Sequence, residues 1–277
     1  MTDILGVHGV GNYRPAGAEA ELAAAWHSEL ANGFVGHKPE FSVAVAYYAD
    51  CLHLGTRQGP QPVEQLTGEE QAAVMAWLTS LGLPDDVSQG RAARPVRQGL
   101  EWFARRFGLD GRLAELLVNR FFREVTTYMS PEHTERRVRA RAAVATALDT
   151  HRPRILIAHS LGTVVSYEAL WSRPDIEIDL WITLGSPLAM PDVIFDRLDP
   201  APELRLANRP PGVKRWINVA DPGDVVAILR PIANRFNGVD ADIEVAVNWL
   251  DVHRAKYYLA SPAVAGLISP FLGQTDQ

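Results

Sequence analysis

The chain has 277 residues, of which 47% are hydrophobic and 22% are charged. This composition is that of a globular protein with a sizeable core, and it excludes a disordered or fibrous chain. The formal net charge of -6 argues against general nucleic-acid binding. A single cysteine, Cys51, excludes an internal disulfide framework and a cysteine-rich metal site.

The sequence contains no apolar run that approaches the roughly 18 residues needed to span a bilayer. Its N-terminus leads directly into a short apolar strand and lacks the basic and then apolar segments of a secretion signal. We therefore expect a cytoplasmic protein without a transmembrane segment.

Short buried-strand patterns alternate with helical patterns along the chain. This alternation predicts an α/β fold in which a mostly parallel sheet is covered by helices on both faces. The predicted strands, in chain order, are 4–7, 41–48, 155–158, 180–184, 215–220 and 243–247. An Ala-rich helix is predicted at 17–33, between the first two strands.

A second helix is marked immediately before the third strand. Ser130 is suited to cap it, and Pro131 is suited to its first position. Its apolar stripe is predicted to consist of Val138, Ala142, Ala145 and Leu148.

Residues 51–130 show helical spacing without strands, as in Val74, Trp77, Leu78 and Leu81. We therefore predict a core made of 1–50 and 131–277, with a helical insertion at 51–130. Because the insertion begins at the carboxyl edge of the sheet, where ligands bind in α/β folds, it is a candidate cap. Its aromatic side chains either form a structural core or wall an acyl pocket: Trp77, Trp102, Phe103, Phe107, Phe121, Phe122 and Tyr128.

Positive charge is concentrated in residues 91–154, where 14 Arg face 7 acidic residues. These arginines form either the solvated faces of amphipathic helices or a basic surface for an anionic or lipid-like substrate.

The sequence Ala158-His159-Ser160-Leu161-Gly162 is a variant of the G-x-S-x-G nucleophile elbow. The S-x-G part also occurs at Ser80 and Ser88, but only Ser160 follows a buried strand and opens a helix, predicted at 163–171. The sharp turn requires small residues two positions away on either side, and Ala158 and Gly162 are small. Ser160 is therefore the candidate nucleophile.

A serine nucleophile needs a base that is oriented by an acid, and in this architecture the order is Ser, acid, His. His253 is the only one of the eight histidines that follows Ser160, so it is the candidate base. The turn Asp221-Pro222-Gly223-Asp224 follows the fifth strand and offers two acids. Asp224 is favoured, and Asp221 is the alternative acid or a residue that shapes the loop by accepting backbone amides.

The first strand ends in His8-Gly9-Val10-Gly11, where small residues let the backbone approach a substrate. Acyl transfer requires preorganised donors for an oxyanion, and the predicted donors are the amides of Val10 and Leu161. The sequence has no metal-ligand spacing and no phosphate-binding glycine loop. We expect neither a cofactor nor a metal.

These motifs, together with Leu184-Gly185-Ser186-Pro187, resemble bacterial serine lipases and esterases of the α/β-hydrolase superfamily. The resemblance covers 1–50 and 131–269 and departs from the pattern at Ala158, which replaces a glycine. It implies an α/β-hydrolase fold, a Ser160–His253–Asp224 triad and hydrolysis of the carboxylic ester of a small acyl substrate. The Asp-x-Val motif of the family strengthens Asp224 over Asp221.

The same triad also serves thioesterases, peptidases or amidases, and acyltransferases. A hydrolase-fold binding module without catalysis is the alternative from another class. A decayed enzyme usually loses a triad member or the small elbow residues, and this sequence retains both.

Overall fold

The computed structural model describes residues 2–14, 18–36, 38–55, 65–85, 95–228, 230–247 and 253–272. Its strands are β1 (Ile4–Val7), β2 (Val43–Ala46), β3 (Ile155–His159), β4 (Leu180–Leu184), β5 (Ala207–Asn208), β6 (Trp216–Ala220), β7 (Phe236–Asn237) and β8 (Ala241–Glu244). Its α-helices are α1 (Ala18–Gly33), α2 (Ala49–Leu52), α3 (Gly68–Ser80), α4 (Pro95–Phe107), α5 (Gly111–Met129), α6 (Thr134–His151), α7 (Leu161–Trp171), α8 (Ala255–Leu259) and α9 (Pro262–Ile268). None of these helices is both long and apolar enough to cross a membrane.

Six strands form one sheet in the order β2-β1-β3-β4-β6-β8, and every neighbouring pair is parallel. The predicted α/β architecture with a parallel sheet is confirmed, although two strand bounds were wrong. The second strand covers 43–46 instead of 41–48: before it the Ser42 amide donates to the Asp3 carboxylate, and beyond it the Tyr48 amide donates to His8 Nε2. The last strand covers 241–244 instead of 243–247, and beyond its end the Val247 amide donates to the Asp221 carboxylate. The short parallel pair β5-β7 was not predicted.

The two faces of the sheet bury alternate side chains of each strand, as the period of two requires. Ile155 and Ile157 of β3 face a core that includes residues of α1, α8 and α9. Leu156 and Ala158 face the other core, which includes residues of α3 to α7. The helices of the insertion therefore share a face of the sheet with α6 and with α7, the helix that follows Ser160.

The apolar stripe predicted for α6 was correct at Leu148 and wrong at Val138 and Ala142. Ser130 does cap a turn, by accepting a hydrogen bond from the Glu132 amide, but this turn is a short 3-10 segment that precedes α6. Val138 is 47% exposed and Ala142 is exposed, whereas the buried residues of α6 are Ala140, Val144 and Leu148. The helix is rotated relative to the prediction because Arg137 points inward to the buried Glu168 of α7.

Several arginines of the basic segment have partners inside the protein. Arg120 donates to the Gly11 carbonyl, and Arg136 donates to the carbonyls of Cys51 and His53. Arg137 pairs with the Glu168 carboxylate, and Arg141 pairs with the Asp199 carboxylate. The positive charge at these four positions therefore serves internal contacts. That the basic segment binds an anionic or lipid-like substrate stays a prediction.

The direction of the sheet connections places one crevice at the carboxyl ends of the strands. The chain passes from β1 outward to β2 and then returns to β3 on the opposite side of β1. Ligands of open α/β sheets bind at such a point of reversal. The loop at 8–12, which follows β1, and Ser160, which follows β3, both lie there.

Candidate active site

Ser160 occupies a strained turn between β3 and α7. Its backbone has a φ of 53° and a ψ of -129°, outside the common regions for a residue with a side chain. A Cβ at Gly162 would overlap the backbone carbonyls of Val7 and His8, so this position admits only glycine. The elbow is thus pressed against the end of β1. Of the other S-x-G serines, Ser80 ends α3 and donates to the Ala76 carbonyl, whereas Ser88 lies outside the described residues.

The structure brings Ser160, His253 and Asp224 together in one hydrogen-bonded chain. His253 Nε2 lies 2.8 Å from Ser160 Oγ. On the other side of the ring, His253 Nδ1 lies 2.8 Å from Asp224 Oδ2 and 3.0 Å from Oδ1. Because the carboxylate only accepts, Nδ1 carries the proton and Nε2 is free to accept the serine proton. The three side chains come from the ends of β3 and β6 and from the turn before α8.

Asp224 is fully buried yet surrounded by donors. Burial alone would raise its pKa, but the charge and hydrogen bond of His253, the Tyr258 hydroxyl and the Val226 amide outweigh burial and lower the pKa. Tyr258 donates to Asp224 Oδ2 at 2.8 Å and accepts from the Asp221 amide at 2.9 Å. Asp224 is therefore held as an anion facing His253.

Asp221, the alternative acid, faces away from the histidine. Its two carboxylate oxygens accept the backbone amides of Gly223 and Val247, each at 2.7 Å. These bonds shape the turn that carries Asp224. Gly185 lies beside the Asp224 carboxylate. Its φ is 52°, and a Cβ at this position would lie 2.8 Å from Asp224 Oδ2.

The amides of Val10 and Leu161 are both without an acceptor among the described residues. Leu161 opens α7, so its N–H belongs to the positive end of that helix. The direction of the Val10 N–H follows from that of the Gly9 carbonyl, which belongs to the same peptide unit. The Gly9 oxygen accepts His8 Nδ1 at 2.8 Å and Asn12 Nδ2 at 2.9 Å. Since a trans peptide points its C=O and N–H in opposite directions, the Val10 N–H points away from both side chains.

Two buried histidines flank the site as neutral groups. Burial lowers the pKa of His8 to about 4, although the Gly9 carbonyl opposes it. Its Nε2 accepts the Tyr48 amide at 3.3 Å, which fixes the proton on Nδ1. Burial and the neighbouring His253 lower the pKa of His159 to about 3. At neutral pH neither residue adds a positive charge beside His253.

The insertion touches the site at three places. Trp77 Nε1 donates to the carbonyl of Val225, next to Asp224, at 2.9 Å. The Phe121 ring meets the His253 ring edge-on, with centroids 6.1 Å apart. The third contact is made by Arg120 and Glu124 with Gly11.

Of the seven aromatics of the insertion, five are fully buried, Trp102 is half-buried and Phe107 is 36% exposed. Trp77, Phe103 and Phe122 form one cluster of tilted rings within the insertion. This packing shows the structural role of these rings. That some of the seven wall an acyl pocket stays a prediction.

Glu124 accepts the Gly11 amide at 2.7 Å. Burial raises the pKa of its carboxyl from 4.5 to about 7, against the opposing effects of the Gly11 amide and Arg120. Between these two values the folded chain holds a proton that the unfolded chain has released. Folding stability carried by this group therefore falls as the pH rises from about 4.5 to about 7.

We expect Glu124→Gln to remove this pH-dependent loss of stability, because an amide never ionises. The difference in the free energy of unfolding, variant minus wild type, should therefore increase by up to about 3 kcal/mol from pH 5 to pH 8, at 1.36 kcal/mol per pKa unit. Urea unfolding at both pH values measures this difference. The same offset at both pH values would contradict a raised pKa for Glu124. His8 and His159 are common to both proteins and cancel.

Three residues that contact the triad or the loop after β1 carry no recognisable sequence signal. Tyr258 lies in the short helix α8, where nothing marks a phenol that donates to Asp224. Glu124 and Arg120 look like ordinary surface residues of an amphipathic helix, and only tertiary packing brings them to the loop after β1. Among the described residues no cluster of three metal-ligating side chains occurs.

Comparison of the chain with protein-family models, with curated proteins and with solved structures found no match. A functional conclusion therefore has to come from the site itself.

Proposed function

We propose that this chain is a serine hydrolase with an α/β-hydrolase fold. The observation that carries the proposal is the continuous bond chain from Ser160 Oγ through both nitrogens of His253 to Asp224. The strained conformation of Ser160 supports it further, since strain at a nucleophile is retained only where the surrounding structure enforces it. A non-catalytic binding module gives no reason to keep both features.

Within this class we propose cleavage of carboxylic esters through an acyl-enzyme. Ser160 Oγ forms a bond to the acyl carbon while its proton passes to His253 Nε2. The carbonyl π pair moves onto the oxygen, which becomes an oxyanion bound by the amides of Val10 and Leu161. Asp224 stabilises the imidazolium through its bond to Nδ1.

The tetrahedral intermediate then collapses. The ester C–O bond breaks, and the leaving alkoxide takes the proton from His253 Nε2 as it departs. A water molecule repeats the sequence on the acyl-enzyme: it gives a proton to His253 and attacks the acyl carbon. Ser160 leaves with the returned proton, which restores the enzyme and releases the carboxylic acid.

A fluorophosphonate probe tests the nucleophile. In the labelling step a bond forms between Ser160 Oγ and phosphorus, the P–F bond breaks, and fluoride departs as the serine proton passes to His253. We expect one equivalent of label on wild type and none on Ser160→Ala. Mass spectrometry of the intact protein and its peptides measures both.

Ser80→Ala is the matched control, because Ser80 belongs to another S-x-G sequence but only bonds within its helix. This variant should label like wild type. Equal labelling of wild type and Ser160→Ala would refute the proposal. The leaving group is then resolved by turnover of p-nitrophenyl esters of graded chain length beside acyl thioesters and peptides. If only acyl thioesters or peptides were turned over, the proposed ester cleavage would be wrong, whereas the assignment as a serine hydrolase would stand.

A further inference from the structure

In the loop after β1, two successive peptide units are each hydrogen-bonded to side chains. In the Val10–Gly11 unit, the Val10 carbonyl accepts from Asn12 Nδ2 at 3.3 Å, and the Gly11 N–H donates to Glu124 Oε1 at 2.7 Å. In the next unit, the Gly11 carbonyl accepts from Arg120 at 2.6 Å. Both sides of Gly11 are therefore bound by one helix, α5.

We call the two side chains that bind Gly11, those of Arg120 and Glu124, the clamp. Both can reach Gly11 because they stand four residues apart, on one face of α5. The helix itself is anchored: Phe121 and Tyr128 are buried, and the Tyr128 hydroxyl donates to Glu168 at 2.6 Å. A rigid helix fixes a group within the small tolerance that an active site requires better than a loop does.

The clamp lies next to the Val10 N–H, whose direction matters for the proposed reaction. The Val10 N–H has no acceptor among the described residues, and it stands one residue before the clamped Gly11 amide. If the Gly11 unit turns, the adjoining dihedral angles of Val10 must change with it, and its N–H moves. Electrostatic stabilisation by such donors depends on their being oriented before the reaction.

We propose that Glu124 and Arg120 are positioning residues, which hold Gly11 so that the Val10 amide is directed at the developing oxyanion. This inference rests on the proposed function. It also assigns the insertion a part in the catalytic geometry, in addition to any role as a cap. Neither residue touches the substrate; both act through the backbone.

The test compares variants of Glu124 and Arg120 with wild type in ester turnover at pH 8. Glu124→Leu keeps an apolar stem but has no acceptor for the Gly11 amide. It should lower kcat about 10-fold to 100-fold, less than the 100-fold to 1,000-fold cost of removing an oxyanion donor outright. KM should stay within about threefold, since the oxyanion forms after binding. Glu124→Gln keeps an acceptor oxygen and should stay within about threefold of wild type in kcat.

Arg120→Met removes the other arm and changes an exposed side chain, so it serves if Glu124→Leu does not fold. It should lower kcat about threefold to tenfold, and in the double variant the two losses should not add, because both act on Gly11. Glu115→Leu, an exposed glutamate on the same helix, is the matched control and should leave kcat unchanged.

A trifluoromethyl ketone gives a readout that loosened packing alone would not produce. Ser160 Oγ adds to its carbonyl carbon, the π pair becomes an oxyanion, and the serine proton passes to His253. Its inhibition constant should rise in Glu124→Leu by the factor by which kcat/KM falls. The proposal is overturned if kcat is unchanged in both Glu124→Leu and Arg120→Met, or if Glu124→Gln loses as much as Glu124→Leu. Absence of phosphonate label on wild-type Ser160 would instead overturn the proposed function, and this inference with it.

Discussion

Replacing His253 by alanine is expected to lower kcat for ester hydrolysis by about a million-fold, and replacing Asp224 by asparagine by about 10,000-fold. Among the described residues, His253 is the one hydrogen-bond partner of Ser160 Oγ, so its removal takes away the acceptor of the serine proton. The asparagine side chain would keep the volume of the aspartate but could present its NH2 group to His253 Nδ1, which favours the wrong tautomer. It would also remove the charge that stabilises the imidazolium.

Steady-state kinetics on a p-nitrophenyl ester measure both losses, with the Ser160→Ala protein as the background. Asp221→Asn is the control, because Asp221 accepts only backbone amides and lies away from His253. It should cost less than about tenfold in kcat, as expected for a residue that shapes the turn. A loss in Asp221→Asn equal to that in Asp224→Asn would mean that the acid has been assigned to the wrong residue.

The sheet was predictable from sequence because a strand buried on both faces leaves a continuous apolar run. Runs such as 155–158 and 180–184 are short, isolated and bounded by polar residues, and the strands appear at those places. The ends of strands were less predictable. Just before β2 and just after β8, backbone amides donate to the carboxylates of Asp3 and Asp221, which are distant in the sequence.

Ser160 and His253 could be singled out because their chemistry is tied to local pattern and to chain order. The elbow needs small neighbours within two residues, and a single histidine follows the serine. Tyr258, Glu124 and Arg120 could not be found in this way. Each reaches the site by tertiary packing. A tyrosine on a helix, or an arginine and a glutamate four residues apart on one, is common without any such role.

The error in α6 has the same origin. The helical pattern predicts that apolar residues face the interior, and it therefore places Val138 rather than Arg137 on the buried face. The buried Glu168 of α7 reverses that choice. Its side chain is fully buried, and Arg137 reaches it with Nε at 3.0 Å and with a second nitrogen. A buried carboxylate of this kind requires a partner, and the helix turns to supply it.

Removing this carboxylate is expected to cause a large loss of stability. Besides Arg137, Glu168 accepts the Tyr128 hydroxyl at 2.6 Å and the Asp199 amide at 3.1 Å. It thus joins α5 of the insertion to α6 and α7. Glu168→Met would leave the buried Tyr128 hydroxyl and the Asp199 amide without this acceptor, and the largely buried Arg137 guanidinium without its carboxylate partner.

We expect Glu168→Met to lower the free energy of unfolding by about 3–5 kcal/mol, the usual cost of stranding one partner of a buried pair. For a chain of this size, that corresponds to a fall in Tm of about 10 °C. Adding Arg137→Met should restore part of the loss, because the stranded charge is removed as well. Glu177→Gln is the control: Glu177 pairs with Lys214 but its side chain is 74% exposed, and the change should cost less than about 1 kcal/mol. Thermal and urea unfolding measure all four proteins. If Glu168→Met cost no more than Glu177→Gln, the network around Glu168 would not join the insertion to the sheet core energetically, and the anchoring of α5 would have to come from its apolar contacts alone.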